Sequence, residues 1–152
     1  MTMRLTSSAF GARATMPVRF TCDGSDISPP LAWSGAPPAT RSFALVCSDP
    51  DAPAGVWFHW AIFDIPAGSA ELAEHCPTDG SVAPQALNDF HRRGYGGPCP
   101  PHGHGRHHYH FKLYALDVER LGVAADAGCR EVEAKAEAHA LATAELVAVY
   151  SR

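Results

Sequence analysis

The sequence predicts a mainly β fold, most simply a sandwich, and three observations carry that expectation. Glycine and proline, 13 of each, signal many turns and few long helices. Several apolar or alternating runs have the length of strands rather than helices. Hydrophobic residues make up 46% and charged residues 18%, the balance of a globular chain. A length of 152 residues allows one domain with a core of its own and is short for two, so residues 1–152 read as a single domain.

Met3 to Phe10 reads as a first strand and Val18 to Thr21 as a second. The turn-rich segment from Cys22 to Pro38, CDGSDISPPLAWSGAPP, follows and is ordered by packing Leu31 and Trp33. Ser42 to Ser48 is a near-continuous apolar run, as expected of a strand buried on both faces, and it ends at the turn DPDAP. Trp57 to Ile65 alternates, with Trp57, His59, Ala61 and Phe63 on one face and Phe58, Trp60 and Ile62 on the other, and Pro66 stops it. Ala67 to Arg93 reads as loop with a helical turn at Ala70 to Glu74; so long a loop usually serves function. A strand from Tyr109 to Leu116 comes next. The alanine-rich stretch after Cys129 has the propensity for a single helix, yet beyond His139 the alternation of Leu141, Thr143, Glu145, Val147 and Val149 with their neighbours is strand-like.

Composition also narrows function. The formal net charge is -4 with the nine histidines neutral, so there is no basic footprint for nucleic acid. The N-terminal residues lack the apolar core of a signal peptide, and no apolar run approaches the roughly 20 residues of a membrane span, so a soluble, cytoplasmic protein is expected. The five cysteines, Cys22, Cys47, Cys76, Cys99 and Cys129, are scattered without CxxC spacing, and reduced thiols are the expectation.

The richest stretch runs from Gly94 to Asp117, where a Gly/Pro loop feeds a histidine-loaded strand. Glycine permits close backbone approach, proline fixes the course of the loop, and the strand sends alternate side chains to opposite faces. His107, Tyr109 and Phe111 therefore share one face and His108, His110 and Lys112 the other. At roughly 3.4 Å per residue His107 and Tyr109 stand about 7 Å apart, suited to gripping different oxygens of one small anion. Asp49 and Asp51 lie at the end of a buried strand, where they either bond turn amides or serve a site. His59, alone, is more often a core residue than a ligand. Taken together, Asp49, His59, His107 and Tyr109 could bring a carboxylate and three donors to one cavity, an anion-binding site in outline.

DPDAP, WFHW and GYGGPCPPHGHGRHHYHFKLYALD resemble the signature blocks of the phosphatidylethanolamine-binding protein family, in its bacterial Raf kinase inhibitor-like branch. FTCDGSDISPPLAWSG and HALATAELVAVY resemble that branch too, so the likeness spans most of the chain. It implies a β-sandwich with Greek-key connections and one or two short peripheral helices, and it tips the C-terminal segment to a final strand. It implies ligand-binding roles for Asp49, Pro53, His59, His107 and Tyr109, with Cys99 and Pro100 forming the loop wall. The implied ligands are small anions such as phosphate, phosphoethanolamine (a phospholipid headgroup) or acetate, without a cofactor, resident metal or catalysis. A kinase or protease partner and a homodimer are further implications. Three departures stand out: His108 replaces an arginine, His91 replaces a glycine, and the chain ends at Arg152 without the C-terminal helix that flanks the pocket in eukaryotic members, which implies a more open site or one closed by a second subunit.

Two rival readings use the same residues. His102 with His104 and His108 with His110 are spaced to share a side in extended chain, as a metal site would need, although strand alternation splits His107 from His108. Cys99, His107 and Asp49 could alternatively form a nucleophile, base and orienting acid of a hydrolase, although no nucleophile motif surrounds the thiol.

Overall fold

The apolar run at residues 42–48 lies in the middle of the molecule. In the computed structural model, which describes residues 2–152, it forms a strand, β3 (Ser42–Asp49). The other strands are β1 (Arg4–Thr6), β2 (Leu31–Ser34), β4 (Trp57–Pro66), β5 (Glu71–Leu72), β6 (His107–Leu116) and β7 (Ala140–Tyr150); one helix, α1 (Cys129–His139), precedes β7. They form an antiparallel sheet of order β4-β3-β6-β7 and a smaller one of order β1-β2-β5. The mainly β expectation holds.

The larger sheet is covered on both faces. Toward the smaller sheet it sends Phe43, Leu45, Trp60, Ile62, Phe111, Leu113 and Leu146, which pack with Leu5, Leu31 and Trp33. Its other face sends Ala44, Val46, Phe58, Ala61, Tyr114 and Leu116 against Cys129, Val132 and Ala136 of α1. A strand with helix on one side and sheet on the other has no wet face, hence the unbroken apolar run in β3. The C-terminal stretch divides at His139: α1 buries one stripe, and β7 then pairs with β6 along its length.

Three local expectations are corrected. Val18–Phe20 is a 3-10 helix rather than a strand: Pro17 fixes the entry, its carbonyl accepts from the Phe20 N–H, and Phe20 alone of the three is buried. The helical turn at Ala70 to Glu74 is replaced by β5, because Leu72 buries itself by pairing opposite Leu31. The first strand covers only Arg4–Thr6 of the expected Met3–Phe10.

A fourth correction matters more for function. β4 does not alternate simply, because its pairing with β3 slips: Cys47 faces Trp60 while Ser48 faces Phe58, so His59 is an extra, unpaired residue. This bulge leaves Phe58 on the α1 side while both His59 and Trp60 pack on the sandwich side, His59 against Tyr109 and Trp60 in the core that includes Tyr109. A second slip lies between Ile62 and Ile65, with Asp64 at a φ of 52°, and it returns Ile65 to the sandwich core.

Candidate functional site

The C-terminal end of β3, the start of β4 and the start of β6 meet at one end of the larger sheet, since Asp49 pairs with Trp57 and Ser48 with His110. A cavity of about 200 Å³ opens there. Asp49, Pro53, His59, Cys99, Pro100, His107 and Tyr109 all line it, joined by Ala52, Trp57, Phe90 and Pro101.

The polar floor is held by local bonds. Asp49 is buried; its Oδ1 accepts from the Asp51 N–H at 2.8 Å and its Oδ2 from His107 Nδ1 at 2.6 Å. That fixes the orientation of the His107 ring and turns Nε2 away from the carboxylate. Nε2 then meets His104 Nδ1 at 2.7 Å, so His107 is covered by a second imidazole. The His107 and Tyr109 rings share the face that alternation assigned them, with centroids 6.4 Å apart. Burial, and then the charge of Asp49, raise the Tyr109 pKa well above the ordinary tyrosine value, so its hydroxyl stays an O–H donor.

His59 is held differently. Its Nδ1 lies 2.7 Å from the Gly96 carbonyl, which can only accept, so the proton sits on Nδ1. Nε2 is buried and has no partner among the described residues. Burial lowers the pKa of the ring, opposed by the Gly96 bond, so His59 is neutral near pH 7 with a bare lone pair at Nε2. The expectation of a donor-rich pocket is thereby qualified: Tyr109 donates, His59 accepts at Nε2, and the Nε2 of a neutral His107, whose Nδ1 proton is committed to Asp49, faces His104 as an acceptor.

Two loops build the walls. Asn88 organises the first, its Oδ1 accepting from the N–H groups of Phe90 and Arg92 and its Nδ2 donating to the Gly94 carbonyl. Phe90 is thereby set edge-on to Trp57 and to His59, with centroids at 5.3 and 5.4 Å. His91 adopts a φ of 62°, which is why a glycine suits that position. The second loop, Gly94–Arg106, is fastened to the N-terminal segment: the Tyr95 hydroxyl donates to the Phe20 carbonyl and the Gly97 N–H to Asp26 Oδ1. A Cβ at Gly97 would stand 2.2 Å from the Phe20 carbonyl oxygen, so only glycine permits this approach.

Cys99 is joined to Cys22 in a disulfide, 77 residues apart in sequence, across the same seam. The expectation of reduced thiols is corrected for this pair; Cys47, Cys76 and Cys129 are free and buried. With its sulfur in that bond Cys99 has no thiolate to offer, so the hydrolase arrangement of Cys99, His107 and Asp49 does not form. Lone cysteines at such spacing carried no sign that the chain folds them together.

The other histidines disperse. His108 takes Asp51, its Nδ1 at 2.7 Å from Oδ2, on the outer face of β6, and His110 pairs with Glu145 of β7. Asp51 thus belongs to the outside, its pKa lowered mainly by the His108 bond. His104, which the sequence spacing offers only as a metal ligand, instead covers His107. Its signal was its place three residues before His107, between two glycines that here adopt φ of 75° and 90°.

The fold and this site define a β-sandwich protein with a small, mixed-polarity cavity at the strand ends of its larger sheet. The chain belongs to the phosphatidylethanolamine-binding protein family, whose family model matches residues 6–151. It is 47% identical over 155 aligned positions to a UPF0098 protein of Methanothermobacter thermautotrophicus, covering 99% of both chains. A UPF0098 protein of Aquifex aeolicus is 45% identical, over 99% of this chain and 89% of that one. The crystal structure of Escherichia coli YbcL, described as a member of the mammalian PEBP family, superposes with a TM-score of 0.94 at 36% identity over 100% of this chain and 99% of that one.

Proposed function

We propose that this protein is a binding protein for small oxyanions, phosphate or a phosphate-bearing headgroup, and that it acts without catalysing a reaction. The carrying observation is the convergence of Asp49, His59, His107 and Tyr109 from three strands on one cavity of about 200 Å³, large enough for such a group and too small for a lipid chain. Trp57, Phe90 and the prolines of the walls lower the local dielectric, which strengthens each polar contact made inside. A few charge-assisted bonds, each worth about 1.5–3 kcal/mol before desolvation and ordering, support binding in the micromolar to millimolar range.

The disulfide bears on location. Such bonds persist in oxidising compartments and are rare in the cytosol, so Cys22–Cys99 counts against the expected cytoplasmic setting and favours a periplasmic or extracellular one. No helix among the described residues is long and apolar enough to cross a membrane.

Tyr109→Phe tests the site with little disturbance to packing, since it removes only the hydroxyl. Phosphate affinity followed by NMR should fall roughly tenfold to a hundredfold. His107→Ala should also abolish the phosphate-induced shifts at His59 and Tyr109. Unchanged affinity in Tyr109→Phe, with shifts mapping elsewhere, would remove the cavity as the binding site.

A further inference from the structure

The bare nitrogen of His59 sharpens the choice of ligand, on the footing that the cavity binds an oxyanion. Nδ1 is committed as a donor to the Gly96 carbonyl, so the ring offers its only other polar atom as an acceptor. That atom is buried without a protein partner in a ring that lines the cavity. An unpaired buried acceptor is costly, and a fully ionised oxyanion would set a second lone pair against it. Tyr109, 5.2 Å from His59 between ring centroids, supplies the complementary donor.

We propose that the pocket takes an oxyacid still carrying an acidic O–H, which donates to His59 Nε2 while the Tyr109 hydroxyl donates to another oxygen of the same group. Hydrogen phosphate and the singly ionised form of a phosphomonoester meet this requirement. Sulfate and phosphodiesters do not. Sulfate and hydrogen phosphate carry the same charge and nearly the same shape, so the proton is what the site reads; exclusion works by setting unpaired lone pairs against each other.

The groups that face His59 bear on its protonation. Asp49 of β3 and Asp89 of the Phe90 loop favour the cationic ring, and Tyr109 of β6 lies beside it with the His107–His104 pair beyond. Burial outweighs the two carboxylates and keeps the ring neutral. Protonating the ring instead would convert it to a donor and erase the discrimination, so selectivity belongs to neutral and higher pH.

Parallel titrations of the intact, oxidised protein at pH 8 with inorganic phosphate, sulfate and glycerophosphoethanolamine, a phosphodiester, test this directly. Phosphate should bind roughly tenfold or more tightly than either of the others. Phosphoethanolamine, a monoester with a second ionisation near pH 6, should lose about tenfold in affinity per pH unit above that point, while inorganic phosphate keeps its O–H and its affinity. Imidazole ¹⁵N spectra should show His59 with a bare Nε2 that phosphate shifts and sulfate does not. His59→Gln adds an amide donor and should collapse the phosphate-to-sulfate ratio, with thermal melting as the check on its fold. Equal binding of sulfate and phosphate by the unaltered protein, or a protonated Nε2 in its free form, overturns this proposal while leaving oxyanion binding intact. Failure of all the anions to bind overturns both.

Discussion

His107 and His108 are neighbours in sequence, and each bonds one carboxylate of the same turn, His107 to Asp49 at 2.6 Å and His108 to Asp51 at 2.7 Å. The contacts are nearly identical. Their surroundings are not: side-chain exposure is 2% and 4% for the inner pair but 39% and 40% for the outer one. In water the outer carboxylate and imidazole each have a good alternative partner, so the bond gains little. Inside, neither has one, and removing either strands the other. Strand alternation made two copies of one interaction and burial gave them different consequences, one at a site and one on a surface.

His107→Ala should break the comparison most sharply. It leaves Asp49 buried without its imidazole and is expected to cost about 3–5 kcal/mol, read from denaturant unfolding. Next comes the seam that holds the inner wall: Cys22→Ser with Cys99→Ser should lower stability by about 2–4 kcal/mol and loosen phosphate binding, seen as a lower melting temperature that added reductant no longer changes.

Acid offers a third test. The folded pKa of His59 is lowered, so the unfolded chain takes up a proton first as pH falls. Stability tied to neutral His59 is fully present above the unfolded value of about 6.5 and is lost as pH falls from there toward the folded pKa. Melting temperature measured against pH should therefore decline below about 6.5, with a shallower decline in His59→Gln. The smallest effect is reserved for the outer pair: His108→Ala should change stability by no more than about 1 kcal/mol and leave phosphate affinity where it was. A loss comparable to that of His107→Ala would mean that burial is not what separates the two pairs.

Much of this was legible along the chain. Period-two alternation in β6 assigned His107 and Tyr109 to one face, whereas beyond His139 alternation competed with helix propensity and the family resemblance tipped the reading to the strand that β7 forms. Such signals are local, because a strand's faces follow from backbone geometry alone. The bulge at His59 was hidden for the opposite reason. It is a mismatch between two strands, Cys47 with Trp60 and then Ser48 with Phe58, and neither strand's sequence contains the register of the pair. The contact of His104 with His107 was hidden too, because it is set by the fold of a glycine-flanked loop.

The sequence by itself determined the β character, the strand that would be buried on both faces, the inner face of β6 and the residues of one polar site. Each follows from periodicity, from turn chemistry or from the resemblance carried by short blocks. Tertiary structure alone decided that Cys22 meets Cys99, that His104 covers His107, and that His59 turns toward Tyr109 with Nδ1 committed to Gly96. Those contacts join segments far apart in sequence or hang on the course of a loop, and no local pattern encodes them. They decide which nitrogen of each imidazole is committed to the protein and which faces the cavity or a neighbouring ring.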